Sequence, residues 1–121
     1  MKHEAIVRNI GKVAPINCPY GTVRRIVTGG EGNGNVHVVR VTEGGEHFHL
    51  AYDETYYFLS GNGTLTIERE TFAVNPGTVA LIPSGKAHSL VSDSEAPLEF
   101  IIFGTPPMSI EDERAAPRKP L

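Results

Sequence analysis

The sequence predicts an all-β domain, a sandwich or barrel of short strands. Two observations carry this. Thirteen glycines and nine prolines punctuate the 121 residues at short intervals, and the runs between them are rich in Val, Ile, Thr, Tyr and Phe. No window of helical length shows a sustained i, i+3, i+4 apolar stripe.

Six runs read as strands: Thr22–Thr28, Val36–Thr42, Glu54–Ser60, Gly63–Arg69, Thr78–Ile82 and Pro97–Phe103. Ser60–Gly63 (SGNG) joins two of them, and Asn and Gly tolerate the positive φ of a tight hairpin turn. The best helical candidate is Ser109–Ala116, with Ser109 as cap and Glu111 and Asp112 in a first turn. Prolines on both sides limit it to one or two turns. Strands at this spacing predict one module over residues 1–121, with no internal repeat. The stretch 104–121 reads as an arm crossing the domain surface or a neighbouring subunit.

Composition narrows the function classes. Hydrophobic residues make up 40% and charged residues 21%, enough to bury a core without staples. A formal net charge of -3 provides no broad basic field for nucleic acid or anionic lipid. Cys18, the single cysteine, has no partner for an internal disulfide and reads as an inert loop residue in a reducing setting. The first residues lack the pattern of a secretory leader and no run reaches membrane-spanning length, so a cytoplasmic location is expected. Asn62-Gly63-Thr64 matches a glycosylation acceptor and is read as a turn. The glycine-rich Thr28–Val36 precedes a strand rather than a helix, so it is a loop between strands and not a phosphate cradle.

The chemistry concentrates in residues 44–92. In a strand, His47 and His49 point the same way, with roots roughly 7 Å apart. Glu54, Tyr56 and Phe58 likewise share a face. If that face is interior, imidazoles and a carboxylate meet among apolar side chains and need a partner, which a metal ion supplies. Asp53 is one residue out of phase with Glu54, so alternation turns it away. His37 has Val39 and Val41 as alternate neighbours and is expected to point inward; Arg40 is a further candidate polar group of the pocket. His3 is expected in solvent.

The spacing goes further. His47-x-His49, four residues, Glu54, six residues, Gly61 is followed by Gly77, five residues, Pro83-x-Gly85, two residues, His88. These stretches resemble the two motifs of the cupin family, with fifteen residues between them. Val41 stands where a glycine often precedes the first histidine, and Ser92 where an asparagine often ends the second motif; neither is a ligand position. The resemblance implies a double-stranded β-helix, the jelly-roll cupin barrel. It implies one divalent ion held by His47, His49, Glu54 and His88. A donor set of imidazole and carboxylate suits Fe, Mn, Ni, Co or Zn. Tyr56, Phe58 and His37 are the expected substrate-binding residues, and no catalytic residue is assigned. The implied activity is that of a metal-dependent enzyme on a small, oxygen-rich molecule, dioxygenation first. Isomerisation, decarboxylation and non-catalytic ligand binding are the alternatives. Glu54 argues against thiol dioxygenases, which typically lack it. Small cupins usually pair, so a homodimer is expected, with an N-terminal strand around Ala5–Arg8 and the arm after Gly104 covering sheet edges.

Overall fold

A computed structural model describes residues 4–106 and the backbone of a strand at 113–115. His3 and the remainder of the arm lie outside the described residues. After a 3-10 turn at Ile10–Lys12 come strands β1 (Ile16–Cys18), β2 (Gly21–Val27), β3 (Asn35–Val41), β4 (Glu43–His49), β5 (Asp53–Ser60) and β6 (Gly63–Ile67). They are followed by β7 (Glu70–Val74), β8 (Val79–Ile82), β9 (His88–Ser92), β10 (Leu98–Thr105) and β11 (Glu113–Ala115). They form two sheets, ordered β1-β2-β3-β10-β5-β8 and β11-β4-β9-β6-β7. All pairings are antiparallel. This is the double-stranded β-helix expected from the sequence.

The six sequence-read strands are all present, with ends shifted by a residue or two. Three expectations are corrected. Ser60–Gly63 is not a hairpin turn: β5 pairs with β10 and β8, whereas β6 pairs with β7 and β9. The segment is a corner carrying the chain from one sheet to the other. Gly61 adopts φ 93° there, and a Cβ on Gly63 would collide with the Val91 carbonyl oxygen, so both positions require glycine. Second, Glu113–Ala115 is no helical turn. It pairs with β4, placing Glu113 opposite His49 and Ala115 opposite His47, and so covers an edge whose ladder is otherwise open. Third, Ala5–Arg8 forms no strand; the corresponding edge of the larger sheet is β1. Arg8 instead reaches Glu31 in the β2–β3 loop at 2.8 Å.

Alternation is clean along β5. Glu54, Tyr56 and Phe58 are buried, while Asp53 and Tyr57 are exposed. Phe58 is fully buried and packs on Phe100 at 5.0 Å between ring centroids; Tyr56 lies 4.8 Å from the same ring. Leu65, Val74 and Leu90 from the smaller sheet meet Val39, Leu98 and Ile102 from the larger one in the same core.

Candidate metal centre

The smaller sheet supplies three imidazoles. In β4 the register slips between Gly44 and His47, and Gly45 and Glu46 are both exposed. This bulge resets the alternation so that His47 and His49 both turn inward. β9 places His88 directly opposite His47, with ring centroids 4.3 Å apart. One ring nitrogen from each of the three histidines lies within 4.8 Å of the other two. Glu54 comes from β5 in the opposite sheet. Its Oε1 is 3.1 Å from His88 Nε2 and 3.5 Å from His49 Nε2. All four side chains are buried.

The outer nitrogens fix the orientation of the inner ones. His47 Nδ1 lies 2.9 Å from the Gly45 carbonyl, and His88 Nδ1 lies 2.9 Å from the Lys86 carbonyl. A carbonyl only accepts, so each Nδ1 carries a proton and, in the neutral ring, each Nε2 presents a lone pair. His49 Nδ1 meets the Tyr52 hydroxyl at 2.6 Å, and the two rings stack at 4.7 Å. The Gly85 N–H donates to the His49 carbonyl at 2.5 Å, tying the Pro83–Gly85 turn to β4. Tyr20 stacks on His47 at 4.9 Å. The Tyr56 hydroxyl donates to Glu54 Oε1 at 3.2 Å.

The donor set fits a divalent transition ion. His88 Nε2 is buried and makes no hydrogen bond, although a carboxylate oxygen stands 3.1 Å away. In the tautomer fixed by Lys86 these are two electron-rich atoms facing each other, an arrangement that calls for a cation between them. Burial pushes the Glu54 carboxyl up, but the close His88 ring and, in their protonated forms, His88, His49 and His47 together outweigh it. The net direction is down, toward the ionised ligand form.

A cavity of about 220 Å³ opens above this set. Tyr56 and His37 line it. Phe58 is absent from the lining: it is fully buried and packs on Phe100 and Tyr56, the deeper, mainly packing position that strand order implies for it. Arg40 is exposed and out of phase with the inward His37, Val39 and Val41; it too is absent from the lining. Asp53 is turned away and accepts from the Ser84 N–H at 2.9 Å. Cys18 is not in a loop but ends β1 and lines the cavity, half-buried. Tyr52, Tyr20 and Arg25 also line it, and the sequence reading did not assign them. Arg25 alternates with Val23 in β2, a signal that was available. Tyr52 carries no such signal, because it lies between β4 and β5.

His37 sits opposite Arg25 on the neighbouring strand. Burial, helped by the Arg25 charge and opposed by Glu54, lowers its pKa to about 4. An unfolded histidine titrates near 6.5. As pH falls from about 6.5 to 4 the unfolded chain therefore takes up a proton that the folded one refuses, and stability drops. Above this window the contribution is fully present. Urea titrations should show a stability slope across this window that is reduced in His37→Gln; equal slopes would show that His37 is not held neutral.

The chain matches the Cupin domain family over residues 34–104, more than half its length, and belongs to that family. An uncharacterized protein of Methanocaldococcus jannaschii, MJ1618, is 35% identical over 66 residues, covering 54% of this chain and 53% of that protein. The chain spans about half the length of the curated relatives it matches. Among solved structures, a protein from Planctomyces limnophilus superposes with a TM-score of 0.83 at 20% identity, covering 92% of this chain and 96% of that one. A Streptomyces PAC13 variant solved with uridine gives 0.78 at 18% identity, covering 94% and 92%; Pac13 is described as a nucleoside dehydratase. At this identity these likenesses establish the fold.

Proposed function

We propose that the protein is a metal-dependent enzyme acting on a small, oxygen-rich molecule, with dioxygenation the first reaction to test. The observation that carries the reading is the convergence of three imidazoles and one carboxylate at the buried end of an open cavity. Such an ion supplies Lewis acidity and, where redox-active, electron transfer. His47, His49, Glu54 and His88 would hold it. Tyr52 and the Gly45 and Lys86 carbonyls orient the rings, and Tyr56 orients the carboxylate. Val39, Val41, Phe100 and Ile102 keep the wall apolar and water out, which strengthens polar interactions with a bound substrate.

A metal-dependent isomerase or decarboxylase is the second reading. His37, held neutral in the cavity wall, favours it, because a neutral imidazole both accepts and delivers a proton. Elemental analysis followed by oxygen-electrode assays on small carboxylic acids, diols and diketones separates the cases. Oxygen uptake tied to substrate loss supports dioxygenation. Anaerobic turnover supports the second reading. Metal with no turnover of any substrate leaves a ligand-binding cupin.

Tyr56→Phe isolates the pocket from the fold. It removes one hydroxyl at Glu54 and leaves the ring packing on Phe100. Metal content and unfolding midpoint are expected to stay close to wild type while ligand affinity or turnover falls. A large loss of metal would reassign Tyr56 to holding the ligand itself.

We also propose a homodimer in a reducing, cytoplasmic setting. The outer face of the larger sheet exposes Tyr57, Val79, Leu81 and Phe103, side by side on β5, β8 and β10, an apolar patch of the kind that marks an interface. Light scattering should return twice the 13.1 kDa chain mass; the monomer mass at every concentration would exclude the dimer.

A further inference from the structure

The cavity is charged unevenly. Its buried end is the histidine and Glu54 set. Its rim is formed by exposed lining residues, Ile16, Asn17, Pro19 and Arg25. Arg25 is the only cationic side chain, and Glu54 the only carboxylate, among the described residues that line it. The β2–β3 register, with Val23 opposite Val39 and Arg25 opposite His37, puts Arg25 on the cavity side of its strand. The register then slips between Arg25 and Val27, a bulge of the kind that re-aims a side chain beside a site. No carboxylate of the described residues stands within ion-pair distance of Arg25. By contrast Arg8 is held by Glu31, and Arg24 donates to the Val13 carbonyl at 3.0 Å. Among the described residues this exposed guanidinium at the cavity rim has no counter-ion, which leaves it available to an anion.

We propose that the substrate is a small carboxylate that spans the cavity, its carboxylate paired with Arg25 at the rim and a second oxygen-bearing group at the His47, His49, Glu54 and His88 set. This rests on the metal-centre reading above and names the substrate class for it. A divalent ion beside Glu54 and Arg25 leaves the lining net positive, and His37, held neutral, adds no charge against it. That environment selects an anion. A planar guanidinium matches a carboxylate bidentately. A phosphate dianion would need further cations, and the described lining has none. The volume of about 220 Å³ lies below the roughly 300–1,000 Å³ of drug-sized pockets, which favours a molecule of a few carbons.

Calorimetric titration of the metal-loaded protein with malonate, succinate and glutarate, and with the three matching diamides, tests this. At least one diacid should bind more tightly than its diamide. Arg25→Gln should weaken that diacid by at least tenfold and leave diamide affinity and metal content unchanged. Arg25→Lys should restore part of the loss. Failure of all three diacids to bind, or equal diacid affinity in wild type and Arg25→Gln, overturns the proposal. The same titration on metal-free protein separates the two readings. Arg25-dependent diacid binding in a protein that takes up no metal would leave the rim site standing and remove the metal centre.

Discussion

His49→Ala is expected to lower metal affinity by more than roughly 100-fold, since loss of an outer partner alone typically costs 10–100-fold. His49 is bound into more of the centre than its nitrogen count suggests. Its carbonyl holds the Pro83–Gly85 turn, and its ring stacks on Tyr52. The substitution therefore removes a donor and leaves the Tyr52 hydroxyl buried beside a void. The consequence reaches the fold, because His47, His49 and His88 come from one sheet and Glu54 from the other. An ion held between them would clamp the sandwich. A ligand present at 100 times its dissociation constant adds about 2.7 kcal/mol of stability. Wild-type protein should show a metal-dependent rise in thermal midpoint, and His49→Ala should show almost none. A full rise in the variant would place the ion elsewhere.

Phe58→Ala is expected to destabilise the fold by about 3–5 kcal/mol. Phe58 is completely buried, and its ring touches those of Phe100 and Tyr56. Truncation opens a void under the cavity floor between strands pinned on both sides by ladder hydrogen bonds, so little collapse is available. Urea unfolding measures the loss. A cost under about 1 kcal/mol would mean that the floor repacks freely, against the close packing expected of a core. Because Phe58 lies outside the cavity wall, the variant should still bind metal below its unfolding transition.

The convergence of the four imidazole and carboxylate side chains was legible in the sequence because two independent signals agreed on them. Motif spacing picked out His47, His49, Glu54 and His88, and strand alternation from Glu54 to Phe58 put the carboxylate on the apolar face while sending Asp53 outward. The corner at Ser60–Gly63 was misread for a physical reason: a hairpin turn and a sheet-to-sheet corner need the same backbone freedom, so composition does not separate them. Pairing partners distant in the chain decide which forms. The same holds for Glu113–Ala115, whose local preference for a helical turn yields to the open edge of β4. Tyr52 was invisible as a site residue because it lies between strands and its role arises from position across the barrel, whereas Arg25 was within reach of the alternation with Val23 in β2.

Elemental analysis of the purified wild-type protein beside Glu54→Ala tests most directly the proposal that an ion is shared between the sheets. The expected result is one transition-metal ion per chain in the wild type and a strong loss in the variant, since the smaller sheet alone then supplies the donors. Metal-free wild-type protein that also fails to bind added iron, manganese, cobalt, nickel or zinc would contradict it, as would unchanged stoichiometry without Glu54.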